Sequence, residues 1–262
     1  WSEQGDLQFV LHAHQGEFPR IVLAAGDVKE AFELTAQAFN LADKYQTPVV
    51  VLLDKNICDN DQSTLFFDTS QIKINRGKFT KEQTEGYMRY KYEPDGISQR
   101  SIPGTSNFFI ANSDEHDEYG YSTEDIEIRN RMMEKRMKKL RTCEAEDMKG
   151  QAVFGPNEAD ITLVSWGSNK GSVLEALKNF SNVNFVYLTW MNPFPSEELR
   201  KLLSNSKHII DIESNYTGQM ADLIREKTGI KINDRLLKYD GRMIFPEEII
   251  EKVAAIKGAK RI

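Results

Sequence analysis

"RIVLAAGDVKEAFELTAQAFNLADKYQTPVVVLLD", Arg20 to Asp54, is the stretch that decides the fold class. It opens on a short apolar run closed by Gly26-Asp27 and ends, from Pro48, on an unbroken β-branched and leucine run. Apolar runs of this length without polar alternation suit strands buried on both faces of a parallel sheet. Between them Ala31, Leu34, Ala38, Leu41 and Tyr45 recur at helical spacing in a segment of good helix formers, which predicts one helix with one buried stripe. Strand, helix, strand is half of a doubly wound α/β domain, and the other half is expected upstream of Trp1.

Regularity returns at Ile161. "ITLVSW", "NFVYLTW" and "HIIDIES" read as strands, alternating with helices near 170–180, 196–203 and 217–228, and a last helix follows Pro246. This predicts a second, smaller α/β domain with a parallel sheet. Ligands of such sheets sit at the carboxyl ends of the strands, which here are the turns "WGSNKGS", "WMNPFPS" and "ESNYTGQ".

From Asn56 to about Asp160 the periodicity is lost among Gly, Pro and Ser. So long a stretch is rarely structureless, and Tyr87, Tyr90, Tyr92, Phe108 and Phe109 argue for an ordered excursion packed on other surfaces. Within it "STEDIEIRNRMMEKRMKKLRTCE" predicts a helix capped by Ser122 or Thr123, acidic in its first turn and basic towards its end. Its cations invite a phosphate or nucleic-acid reading. A solvated or subunit-facing side is the favoured one, because Met132, Met133 and Met137 alternate with them at core-like positions.

Composition narrows the classes. The chain has 262 residues, 40% hydrophobic and 28% charged, with a net charge of −6, which disfavours general nucleic-acid binding. No apolar run reaches the roughly 18 residues that span a membrane, and no charged-then-apolar leader opens the chain. Cys58 and Cys143 cannot make a four-ligand cluster, and two lone thiols suit a reducing cytoplasm. The sequon at Asn215 is discounted without a secretory signal.

Local chemistry is sparse. "LHAHQGEFPR" pairs His12 with His14 and Glu17, but no third ligand is tied to them, so no metal is expected. "SWGSNKGS" is the most phosphate-like turn, small residues between strand and helix with Lys170 to add charge; the alternative is a turn that packs a helix on a sheet. "NSDEHDEYG" reads as a solvated acidic turn with His116 paired to a carboxylate.

The order of segments carries more. "EQGDL", "GEFPRIVLAAGDVKEAFELTAQAFNLADKYQTPVVVLLD", "RGKF", "YMRYKYEPDGISQRSIPG", "DEHDEYG", "KRMKKL", "ESNYTGQM" and "KYDGRMIFPEEI" together resemble the alpha subunit of the 2-oxoacid:ferredoxin oxidoreductases, in its 2-oxoglutarate or broad 2-oxoacid branch. The resemblance implies that residues 1–57 end a thiamine-diphosphate pyrimidine-binding domain, 58–160 form an extended linker with the basic helix, and 161–262 form a transketolase C-terminal-like doubly wound domain. It implies oxidative decarboxylation of a 2-oxoacid with coenzyme A, giving acyl-CoA and carbon dioxide and reducing ferredoxin. Thiamine diphosphate with Mg2+ would be shared with a beta subunit that carries the diphosphate site and a four-iron four-sulfur cluster.

The chain would then be one piece of a longer alpha or gamma polypeptide in a cytoplasmic heteromer, inert alone, with neither nucleic acid nor membrane as partner. The main catalytic residues, including the substrate motif and the glutamate that activates the aminopyrimidine, are expected upstream of Trp1. Glu3, Gln4, Gly5 and Asp6 would lie near thiamine and substrate. Ser165, Gly167, Ser168, Lys170, Asn215 and Gln219 are expected as contacts to coenzyme A or a neighbouring subunit. Two departures stand out: Trp1 and Ser2 occupy the places of a threonine-arginine pair that can hold the substrate carboxylate, and Gln15 stands where relatives have histidine. The first leaves open a non-catalytic assembly subunit of the same fold; a ferredoxin-independent transketolase-type enzyme is a third reading.

Overall fold

The structure, a computed structural model, describes residues 1–259. In chain order its elements are α1 (Leu7–His12), β1 (Ile21–Ala24), α2 (Val28–Tyr45), β2 (Val49–Leu52), α3 (Lys55–Asp59), β3 (Phe79–Thr80), β4 (Arg100–Ser101), α4 (Ile126–Glu146) and β5 (Ala152–Phe154). There follow β6 (Ile161–Trp166), α5 (Asn169–Leu177), β7 (Val183–Leu188), β8 (Trp190–Asn192), α6 (Ser196–Ser204), β9 (His208–Glu213), α7 (Gln219–Thr228), β10 (Asp234–Leu237) and α8 (Pro246–Ala259).

The stretch from Arg20 folds as its pattern predicts. β1 is wholly buried and parallel to β2, and α2 crosses between them with Leu34, Leu41 and Tyr45 in the core. Asp27 caps α2 by accepting from Glu30 N, while the Glu30 carboxylate reaches back to Gly26 N, so two otherwise orphaned donors are satisfied at once. β2 departs from expectation. It is half-buried, because in this chain it is an edge strand with β1 as its neighbour.

The second sheet runs β10-β9-β6-β7-β5, with β5 antiparallel to β7 and the other pairs parallel. β6 and β7 are buried along their whole length. "NFVYLTW" is not one strand. β7 stops at Leu188, and after Thr189 the chain crosses as β8 to pair antiparallel with β1 in the first sheet. One apolar cluster accordingly contains Leu7, Val22 and Ala24 together with Val164, Trp166, Val186 and Leu188, so the two α/β units share a core.

The excursion is ordered by polar and cation–π contacts. Arg76 and Arg100 both bind Asp43 on α2, Asn40 binds Lys73 O and Asn75 N, and the Arg131 guanidinium lies 3.9 Å over the Tyr92 ring. α4 begins later than expected. Ser122 is held in a β-bridge to His116, which keeps the backbone extended there, and Asp125 caps the helix through Ile128 N. Its basic side is also not simply solvated: Met132 and Lys135 are buried and Met137 is 36% exposed. His116 faces the Asp114 carbonyl and the Tyr90 ring rather than a carboxylate, since Glu115 is taken by Arg129 and Arg136.

Candidate functional site

Three segments far apart in sequence meet at the carboxyl ends of β6 and β9. Gln4, 3% exposed, is their hub. Its side chain donates to Trp166 O at 2.9 Å and accepts from Asn169 Nδ2 at 2.8 Å and Ser214 N at 2.9 Å. Its backbone N–H donates to Ser214 O, and its carbonyl accepts from Asn215 Nδ2. Gln219 at the start of α7 donates to Gly5 O and accepts from Gln8 N. The loop Glu3 to Asp6 is thus fixed by its middle, while Glu3 and Asp6 keep their carboxylates exposed.

Beside this hub the carboxyl ends of β1 and β6 border a crevice of about 420 Å³, lined by Gly26, Asp27, Asn56, Ser168, Gly171 and Met243 among others. Lys170 Nζ lies 2.6 Å from Asp27 and 2.5 Å from Glu30, and Tyr187 Oη donates to Glu30 at 2.6 Å. Burial alone would push the Lys170 ammonium down, but these two carboxylates hold it above the usual lysine range. Asp54 accepts from Ser168 N and Asn56 N. The turn after β6 therefore has its lysine and the Ser168 N–H already occupied by carboxylates. It packs a helix on a sheet, and the phosphate-cradle reading of "SWGSNKGS" is corrected.

The two strand ends approach closely. A Cβ at Gly26 would lie 2.9 Å from Gly167 O and would overlap the Tyr187 hydroxyl. Gly26→Ala is expected to cost about 2 kcal/mol, the scale of overpacking a tight site. Denaturant melts would show it as a lower midpoint with unchanged slope, and an unchanged midpoint would refute the close approach.

Beneath the hub, β9 carries two fully buried acids. The Glu213 carboxylate collects Trp166 Nε1 (3.0 Å), Asn215 Nδ2 (2.7 Å), Met220 N (2.8 Å) and Ala221 N (3.3 Å). Asp211, on the same face two residues earlier, receives none of these donors and has the Glu213 carboxylate as its polar neighbour. Burial, then the charge of Glu213 and a hydrogen bond with its carboxylate, raises Asp211 well above the ordinary carboxylate range.

The expected residues divide. Gln4, Gly5, Asn215 and Gln219 are brought together. Ser165 is buried with its hydroxyl donating to Ile212 O, Lys170 is neutralised, and Asn215 is buried and bonded at both ends, so none of these three presents a free group. Gly167 is buried, its backbone at φ 62° against Gln4, whereas half-buried Ser168 borders the crevice. Sequence reasoning missed Asp27, Glu30, Asp54, Asp211 and Glu213. The D-x-x-E spacing at Asp27 was a capping signal, and the alternation of Asp211 and Glu213 with isoleucines marked both acids for one face of a core strand. His12 and His14 contact the Gln8 carbonyl and the Phe18 ring.

The family profile described as "Pyruvate flavodoxin/ferredoxin oxidoreductase, thiamine diP-bdg" matches residues 1–135, and that described as "Pyruvate:ferredoxin oxidoreductase core domain II" matches residues 159–249. The 2-oxoacid:ferredoxin oxidoreductase subunit alpha of Saccharolobus solfataricus is 38% identical over 274 residues, covering 100% of this chain and 43% of that protein. The 2-oxoglutarate synthase subunit KorA of Methanothermobacter marburgensis is 25% identical over 98% of this chain and 69% of its own length. A solved 2-oxoglutarate:ferredoxin oxidoreductase from Magnetococcus marinus, with 2-oxoglutarate, coenzyme A and succinyl-CoA bound, superposes with a TM-score of 0.91 at 32% identity, over 97% of this chain and 45% of that one. The chain thus spans less than half the length of the first and last of these relatives.

Proposed function

The chain belongs to the pyruvate flavodoxin/ferredoxin oxidoreductase family, and on that premise we propose that it forms part of the alpha subunit of a complex that oxidatively decarboxylates a 2-oxoacid. Coenzyme A is the acyl acceptor and ferredoxin the electron acceptor. The observation that carries this reading is the superposition of nearly the whole chain on an enzyme holding 2-oxoglutarate, coenzyme A and succinyl-CoA, supported by the 38% identity to an alpha subunit over the full chain.

Within that reaction thiamine diphosphate supplies the carbanion chemistry when bound. The crevice at the ends of β1 and β6 does not suit a diphosphate with its cation. Lys170 is neutralised by Asp27 and Glu30, and among the described residues no group of three or more His, Cys, Asp or Glu is placed to hold a metal. Cys58 is exposed and Cys143 buried, far short of four cluster ligands. We infer from the family resemblance that diphosphate, Mg2+ and iron–sulfur cluster are held by a partner beta subunit.

What this chain contributes is a rigid edge to the shared site. The Glu3–Asp6 loop, held by Gln4, Ser214 and Gln219, stands near thiamine and substrate, and Ser168 faces the same crevice. Among the described residues no helix is long and apolar enough to cross a membrane, and with two free thiols we place the complex in the cytoplasm.

The test is dye reduction by the purified complex. Reduction of a viologen dye is expected to require both a 2-oxoacid and coenzyme A. Absence of turnover with pyruvate, 2-oxobutyrate and 2-oxoglutarate alike would overturn the catalytic reading and favour an assembly subunit, the role left open by Trp1 in the place of an arginine.

A further inference from the structure

Between α4 and the excursion lies a cavity of about 150 Å³, away from the crevice and lined by Arg89, Tyr90, His116, Lys135, Arg136 and Lys139 among others. Four of these are cations. Lys135 is 9% exposed, and among the described residues its ammonium has no hydrogen-bond or ion-pair partner. Arg89 likewise makes no ion pair; its guanidinium rests 5.1 Å from the Tyr90 ring and 5.9 Å from that of Phe109. Lys139 donates to Gln46 O at 2.9 Å, which leaves its charge uncompensated.

The nearby acids do not balance this set. Glu115 is bound in fork geometry by Arg136, at 2.8 and 2.6 Å, and also by Arg129 at 2.7 Å. Glu118 accepts from Tyr92 N. Taken together the groups facing the cavity are Arg89, Lys135, Arg136 and Lys139 against Glu115 and Glu118, with His116 and Tyr90 at the wall.

An ammonium in a largely buried side chain without a partner is unfavourable unless it gives up its proton or gains an anion. Here burial, then the neighbouring cations, pushes Lys135 down to about 7 and Lys139 down to about 8. The space is roomy enough for one tetrahedral oxyanion.

We propose that this cavity is a binding site for a phosphate-type oxyanion, held by Lys135, Arg89 and Lys139. Charge-assisted bonds from lysine and arginine in a poorly solvated pocket are the strong kind, and one dianion would offset the excess positive charge. The phosphate is either free or the terminal group of a larger molecule that inserts only that group.

Calorimetric titration of inorganic phosphate into the intact protein containing this chain, at constant ionic strength in chloride, tests it. One saturable site per chain is expected, with phosphate raising the melting temperature. Lys135→Met is expected to weaken binding about tenfold or more. Its melting temperature without phosphate should be higher than wild type, because a desolvated charge is gone, so loss of binding cannot be put down to misfolding. Lys135→Arg should restore binding. Displacement of bound phosphate by coenzyme A but not by 3′-dephospho-coenzyme A would identify a carried phosphate, and retention in the presence of both a free one. No saturable binding by wild type, or equal binding by Lys135→Met, would overturn the proposal.

Discussion

Glu213→Ala is expected to lower the melting temperature by about 10 °C, the largest loss of any single truncation in the site. The carboxylate is fully buried and satisfies four donors: an indole N–H, an amide and the backbone N–H groups of Met220 and Ala221. α7 has no cap of its own, because Gly218 at the capping position carries no side chain, and β9 supplies the missing acceptor from outside the helix. A negative charge at a helix N-terminus is favourable by a further fraction of a kcal/mol. Truncation strands four buried donors at about 1 kcal/mol each or more, so a loss of about 4 kcal/mol follows. At about 2–4 °C per kcal/mol for a chain of this size, that gives the stated shift.

The same substitution should reach the functional loop. Asn215 and Gln219, which bind the carbonyls of Gln4 and Gly5, are positioned by Glu213 and by the start of α7. Amide exchange at Gln4 and Gln8 should therefore quicken in Glu213→Ala below its melting temperature. Protection equal to wild type would show that the loop is held without α7.

How much of this the sequence disclosed depends on what kind of force fixes each part. β1, β6 and β7 are buried on both faces, and their unbroken apolar runs announced them. α2 declared itself through its stripe. β8 could not be read, because Thr189 between two apolar runs carries no sign that the chain changes sheet. The excursion was opaque since it is fixed by single long-range polar contacts such as Arg100 to Asp43, which leave no period. Lys135 was misread for a related reason. It falls on the helix face of Met132, Lys139 and Cys143, a core stripe by spacing, but lysine in a basic run suggests solvent. In the site, the turns at strand ends do bring Gln4, Asn215 and Gln219 together, yet the acids packed around them lie inside strands and caps, where a polar residue is legible only once the face is known.

Asp211→Asn is expected to stabilise the protein at neutral pH, a direction that follows from the linkage of proton binding to folding. In the unfolded chain this carboxyl titrates near its ordinary value of about 3.9. In the folded chain burial and the charge of Glu213 keep it protonated far above that. Between the two values the native state holds a proton that the unfolded state has released. Stability from this group is therefore complete below the ordinary value and is lost as pH rises, by about 1.4 kcal/mol per pH unit, until the folded group itself ionises. Asparagine keeps the shape, meets the same desolvation as a neutral carboxyl, and has no proton to lose. The opposite dependence of groups such as Glu115, which its bond to Arg136 lowers to about 2 despite partial burial, is common to both proteins and cancels in the difference. Denaturant melts of the two proteins from pH 4 upward should start near coincidence and diverge as pH rises, with Asp211→Asn the more stable. Parallel curves would mean that Asp211 ionises at its ordinary value in the folded chain, with two charges then side by side on β9 and the four donors all on Glu213, and would overturn this reading.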